Sequence, residues 1–209
     1  MSAANRYDGP RLLLIGPPGS GKGTQAAGLA ELYRVPAIST GDIFRANIEN
    51  ETPLGVEVKA IVESGEYVPD TLTNDLVRHR LEEPDARDGF LLDGYPRTLD
   101  QVDYLDRILA ERETGLDAVI RLTADIDELV TRLRKRAIER GRSDDSEEAI
   151  RHRQDVFVKQ TAPLVDVYAA RGLLLRIDGL GTVEEVRGRI VDGLIGRGIV
   201  PPGAAAAVG

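Results

Sequence analysis

"LLLIGPPGSGKGTQ", Leu12 to Gln25, runs four aliphatic residues into a loop rich in glycine and proline and then reaches a lysine. Gly16-Pro17-Pro18-Gly19-Ser20-Gly21-Lys22 fits G-x-x-x-x-G-K, placed between an apolar strand and a helical pattern as that motif requires. Glycines let a backbone curl until successive N–H groups encircle phosphate oxygens. A helix starting near Gly21 adds its positive end, and Lys22 adds a point charge for the terminal phosphates. An ordinary Gly/Pro turn with an incidental lysine would not need the preceding strand, the spacing and the lysine together. Gly23 stands where Ser or Thr usually meets magnesium, and the hydroxyl arrives one place later, at Thr24.

Working outward, short apolar runs alternate with longer helical patterns. Strands are expected at Arg11–Gly16, Val35–Ser39, Gly89–Asp93, Asp117–Leu122 and Leu173–Ile177. Helices are expected at Gly21–Tyr33, Leu99–Glu113, Asp125–Ile138, Glu147–Tyr168 and Val183–Ile195. Thr182 with Glu185, and Asp125 with Glu128, have capping-box spacing. The alternation means an α/β fold with a parallel sheet. Two stretches interrupt it, Thr40–Asp88 without a strand and the polar Lys135–Asp145, and both read as insertions on a central sheet. Residues 198–209, Pro-, Gly- and Ala-rich without periodicity, are expected to be a disordered tail.

The 209 residues suffice for one substantial core. With 42% hydrophobic and 30% charged residues, the balance is that of a globular domain. A net charge of −8 and 4% aromatics speak against a nucleic-acid surface. The sequence has no apolar run of membrane-spanning length, and its first residues do not resemble a signal peptide. Without cysteine there is neither disulfide nor thiolate metal site, which suits a cytoplasmic protein. Lysines are scarce: Lys22, Lys59, Lys135 and Lys159 are the only ones among 27 Lys and Arg residues. His79 and His152 lie in charged helical stretches and read as surface or packing residues.

A second anchor is "GFLLDGYPRT", Gly89–Thr98. Asp93 ends an apolar strand beside the phosphate loop, where it can orient magnesium directly or through water. Gly94 follows it, so no carboxylate or Gln is placed to activate water, which favours transfer to another acceptor over hydrolysis. The tight Gly-Tyr-Pro turn then fixes Arg97 towards an anion.

"GPPGSGKGTQ" resembles the phosphate loop of the nucleoside monophosphate kinases, in which Gly-Lys-Gly-Thr is usual and the metal is held largely through water. "ISTGDIFR" at Ile38–Arg45 and "SGEYVPD" at Ser64–Asp70 resemble the acceptor lobe of the adenylate kinases in that family. "GRSDDSEEAIRHR", from Gly141, resembles their short lid, in which arginines fold over the phosphates and paired aspartates hold the lid closed. The resemblance spans about Leu12 to Ile195 through these motifs in order. It implies a P-loop kinase of five parallel strands flanked by helices, an acceptor lobe at about 39–68, a lid at about 135–145, and a cytoplasmic monomer.

The implied reaction is reversible phosphoryl transfer from Mg-ATP to AMP giving two ADP, with Mg²⁺ and no zinc. The resemblance places ATP on Gly19, Ser20, Gly21, Lys22, Gly23, Thr24, Arg132, Arg136 and, in "IDGLGTVEEV", Gly181. It places AMP on Thr40, Arg45, the backbone of Glu66, Tyr67 and Val68, and on Gly94, Arg97, Gln101, Arg142 and Arg153. Lys22, Arg97, Arg132, Arg136, Arg142 and Arg153 are its catalytic set, and Asp93 its magnesium residue; Arg140 has no counterpart and reads as surface. Thr40 and Gln101 stand where pyrimidine monophosphate kinases carry Ala and Asn, and an amide suits the N6/N7 edge of adenine. Kinases for CMP, UMP or dAMP, and a nucleotide-switched hydrolase or regulator, are the alternatives.

Overall fold

The computed structural model describes residues 9–125, 128–133 and 147–203. Five parallel strands form one sheet: β1 (Arg11–Ile15), β2 (Ala37–Ser39), β3 (Phe90–Asp93), β4 (Ala118–Thr123) and β5 (Leu174–Asp178), in the order β2-β3-β1-β4-β5. The α/β reading of the sequence is thereby met, strand for strand. Because β1 runs outward to β2 while β3 crosses back to β4, the connections leave the adjacent β1 and β3 in opposite directions. A crevice opens at the carboxyl ends of strands where that happens. Register puts Leu14 of β1 and Ser39 of β2 on either side of Asp93, so the ends of all three strands meet there.

Side-chain alternation divides the core in two. Leu12 and Leu14 face helices α1 (Lys22–Tyr33) and α8 (Val183–Ile195), with Leu91 and Ile120 beside them. Leu13 and Ile15 face the other side with Phe90, Leu92 and Val119, covered by α4 (Asp70–Glu82), α5 (Leu99–Glu111) and α7 (Leu164–Ala170). Such continuous apolar strands are what burial on both faces demands.

Between β2 and β3, α2 (Thr40–Glu49) and α3 (Pro53–Ser64) pack on each other with a small cluster of their own, Phe44, Val58 and Val68. The strandless insertion read from Thr40–Asp88 therefore contains α2, α3 and α4.

Glu147–Tyr168, expected as one helix, is three pieces: α6 (Glu147–Val156), a π-helical turn (Phe157–Thr161) and α7. Pro163 has no N–H to continue the ladder, and the Ala162 N–H reaches back five residues to the Phe157 carbonyl. The expected helix Asp125–Ile138 is described as helical over 128–133, its remainder lying outside the described residues. The capping box at Thr182 and Glu185 forms as its spacing predicts.

The expected tail begins differently from its composition. Ile199 packs against the α1/α8 core, the Tyr33 hydroxyl donates to the Ile199 carbonyl at 3.1 Å, and Pro201 is buried. A fully buried hydroxyl finds that carbonyl, so local composition yields to a tertiary contact; 204–209 lie outside the described residues. Tyr33→Phe should lower stability by about 1 kcal/mol in urea unfolding while leaving catalysis unchanged. An unaltered midpoint would mean that Tyr33 does not anchor this segment.

Candidate functional site

The phosphate loop follows β1 directly. Gly19 and Gly21 adopt φ of 86° and 89°, the left-handed region that a side chain resists, and Gly21 caps α1. The loop is also tightly seated. A Cβ at Gly16 would stand 2.8 Å from the Leu122 carbonyl, and one at Gly19 would stand 2.8 Å from the Leu129 carbonyl. Lys22 Nζ donates to the carbonyls of Gly16 (2.7 Å) and Pro17 (3.1 Å), which folds the ammonium back over the loop. From α6, the Gln154 amide donates to the Pro18 carbonyl at 3.0 Å.

Beside the loop, Asp93 ends β3 with 9% of its surface exposed. Burial pushes its carboxyl above the ordinary range, while Lys22, Arg97 and Arg45 pull it back. The buried Ser20 hydroxyl has no partner among the described residues. No cluster of three or more acidic or His ligands occurs among the described residues. One buried carboxylate, cations for phosphate and a spare hydroxyl fit a Mg²⁺ that arrives on phosphates and keeps its waters, rather than one caged by the protein.

Arg97 and Arg45 also act on Asp93. The turn after β3 folds so that the Gly94 carbonyl accepts from Thr40 Oγ1 (2.9 Å) and from Arg97 Nε (2.7 Å). Gly94 has φ 81°, and a Cβ there would meet Arg97 Nη2 at 2.9 Å. The Arg97 guanidinium lies 4.7 Å from the centroid of the Tyr67 ring. Thr161 in the π turn donates to the Arg97 carbonyl (2.9 Å) and accepts from the Tyr67 hydroxyl (2.9 Å), since its own proton is committed. Arg45 pairs with Asp42, and its guanidinium lies over Gly41. Gln101 is buried, with its amide oxygen accepting from the Arg97 N–H.

Each described residue assigned from the sequence lines one cleft of about 1100 Å³. On the loop side these are Gly19 to Thr24, Arg132 and Gly181. Across Asp93 they are Thr40, Arg45, Glu66 to Val68, Gly94, Arg97, Gln101 and Arg153. That volume lies at the top of the roughly 300–1,000 Å³ range of ligand clefts. Arg132 bonds Glu128 (2.8 Å) and the Gly179 carbonyl (3.1 Å), joining the root of the expected lid to the loop after β5. Arg136, Arg140, Arg142, Asp144, Asp145 and the lid at 135–145 lie outside the described residues. His152, half-exposed on α6, bonds the Glu66 carboxylate at 2.6 Å.

Sequence reasoning missed the supporting residues. Arg189 donates to the carbonyls of Asp178 and Leu180 and so ties down the Gly181 loop. Thr161 had no signal beyond the nearby Pro163. Thr98, three residues before Gln101, has the spacing of a capping box, a signal that would have picked it out as the cap of α5.

The family model for adenylate kinase matches residues 14–173. The chain belongs to the adenylate kinase family. Among relatives, the adenylate kinase of Leifsonia xyli subsp. xyli is 63% identical over 190 residues, covering 91% of this chain and 96% of its own. That of Clavibacter michiganensis subsp. michiganensis is 61% identical over 191 residues, with the same coverage. That of Thermobifida fusca is 52% identical over 187 residues, covering 90% and 99%. The five-stranded parallel sheet is in keeping with the kinase fold of that family.

Two outcomes are expected. Asp93→Asn should lower turnover sharply yet raise the Tm of the nucleotide-free protein at pH 7–8. A carboxyl whose folded pKa is raised costs stability once ionised, so the gain narrows as pH falls towards the ordinary carboxylate range. A lower Tm at pH 8 would contradict this. Thr161→Val should raise KM for the monophosphate several-fold with KM for ATP unchanged, because Arg97 and Tyr67 lose their shared link; equal effects on both would contradict that.

Proposed function

We propose that the protein catalyses reversible phosphoryl transfer between Mg-ATP and AMP, giving two ADP. The observation that carries this reading is that one cleft is lined by two sets of cations around Asp93, Lys22 on the glycine loop and Arg45 with Arg97 elsewhere in the cleft. The glycine loop and Lys22 make one grip; Arg45 and Arg97 make the other, with Gln101 behind them to read a base. Membership of the adenylate kinase family supports the same reading.

An oxygen of the AMP phosphate attacks the γ-phosphorus of ATP in line, and the bond from that phosphorus to the bridging β–γ oxygen breaks. The attacking oxygen is already an anion, so no general base is needed. What the reaction demands is alignment and charge neutralisation. The loop N–H groups and Lys22 hold the donor phosphates, while Arg45 and Arg97 hold the acceptor phosphate. By the family resemblance Arg132 and Arg136 would serve the ATP side, and Arg142 and Arg153 the transferring group. A well-placed arginine contributes about 10³–10⁵ in rate, roughly 4–7 kcal/mol. Asp93 would hold a Mg²⁺ brought in with the nucleotide, and that ion would supply charge neutralisation to the phosphates.

The proposed acceptor lobe (39–68) and lid (135–145) would close over the substrates and exclude water that would otherwise take the phosphoryl group. A single chain supplies the described residues of both grips, which suits a monomer, and the absence of cysteine suits the cytoplasm. Among the described residues no helix is long and apolar enough to cross a membrane.

A coupled assay with Mg-ATP against a panel of monophosphates tests the reading. AMP should be the preferred acceptor, and Lys22→Ala should lower kcat/KM by about 10³ or more. Phosphate release without any phosphorylated acceptor, or CMP or UMP preferred over AMP, would overturn it.

A further inference from the structure

We infer that Asp70 is the positioning residue that sets base choice at the acceptor site, by locking the Gln101 amide in one orientation. The inference rests on the reading of Gln101 as the contact to the acceptor base. Asp70 is the first residue of α4 and does not itself line the cleft. Its Oδ1 accepts from Gln101 Nε2 at 2.6 Å, and its Oδ2 accepts from Thr98 Oγ1 at 2.7 Å. On the other side of the amide, Gln101 Oε1 accepts from the Arg97 backbone N–H at 2.7 Å.

These partners leave the amide no choice. An ionised carboxylate only accepts, so the group facing Asp70 must be the NH₂; a backbone N–H only donates, so the group facing Arg97 must be the oxygen. Rotating the amide by half a turn would set Oε1 against the Asp70 carboxylate and Nε2 against the Arg97 N–H, two repulsive contacts at a site with 1% exposure. The Thr98 bond fixes the carboxylate in turn, and Thr98 also caps α5 through the Gln101 N–H. Asp70 therefore ties the start of α4 to the start of α5 at the point where the base would be read.

After these bonds Oε1 keeps one lone pair and Nε2 one hydrogen. That ordered pair matches a 6-aminopurine, which offers a donor at N6 and an acceptor at N7. A 6-oxopurine offers acceptors at both O6 and N7, so the fixed Oε1 would face O6 lone pair to lone pair. Without Asp70, both Nε2 hydrogens would be free, one for O6 and one for N7. Asp70 holds one of them and fixes Oε1 towards the base, and so rejects hypoxanthine and guanine monophosphates by leaving a buried acceptor unpaired.

The test compares AMP with IMP as acceptors at saturating Mg-ATP in the full-length enzyme, for the wild type, Asp70→Ala, Asp70→Asn and Gln101→Ala. Asp70→Ala should reduce the AMP-over-IMP ratio of kcat/KM by about tenfold, mostly through KM for AMP, with KM for ATP unchanged. Asp70→Asn, which can still turn an oxygen to Gln101 Nε2, should retain most of the selectivity. Gln101→Ala should reduce the ratio at least as far as Asp70→Ala does. If Gln101→Ala reduces the ratio and Asp70→Ala does not, the role of Asp70 is refuted while Gln101 stands. If Gln101→Ala leaves the ratio at the wild-type value, the reading of Gln101 fails and the inference with it. A merely structural role would lower AMP and IMP rates alike in step with Tm, and would refute the inference too. Should Asp70→Ala fold poorly, Asp70→Ser, too short to reach Gln101 but polar at the start of α4, carries the same comparison.

Discussion

In the proposed reaction polyphosphate is held by backbone N–H groups at the end of β1, and the structure around that loop keeps it in place. The loop can curl only because glycine tolerates the conformations at residues 19 and 21. It cannot drift, because Gly16 and Gly19 sit against the carbonyls of Leu122 and Leu129 with no room for a methyl group. Two apolar layers keep the sheet rigid beneath it. A preorganised loop spends none of the binding energy on ordering itself, which is what alignment of two nucleotides requires.

Around the loop the electrostatics oppose the molecule as a whole. The chain is net anionic at −8, yet Lys22, Arg45 and Arg97 are the cations that act on buried Asp93. A carboxylate held above its ordinary pKa by burial and restrained by cations is a strained arrangement in the resting protein. In the proposed reaction it would become favourable as phosphates and a divalent ion enter and share the charge. Stability given up at such a position is a common feature of catalytic sites.

The sequence disclosed the parts whose physics is local and contiguous. Four aliphatic residues followed by G-x-x-x-x-G-K can be read without a fold, and the Asp93–Arg97 turn nearly so. The paired apolar strands followed from their length and continuity. What stayed hidden depends on chain segments far apart in sequence. Thr161 meets Arg97 and Tyr67 only because a π turn presents it, and Asp70 meets Gln101 across 31 positions. Composition misled at Ile199, where a Pro- and Gly-rich end is nonetheless pinned by Tyr33. Helical periodicity ran unbroken through Pro163, and the backbone did not follow it.

The central claim is that one cleft grips two nucleotides head to head. Calorimetric titration with two adenosines joined by five phosphates measures this most directly. The account predicts one molecule bound per chain, far more tightly than either ATP or AMP alone, and displacing both. Two molecules bound per chain, or displacement of ATP while AMP still binds, would contradict it.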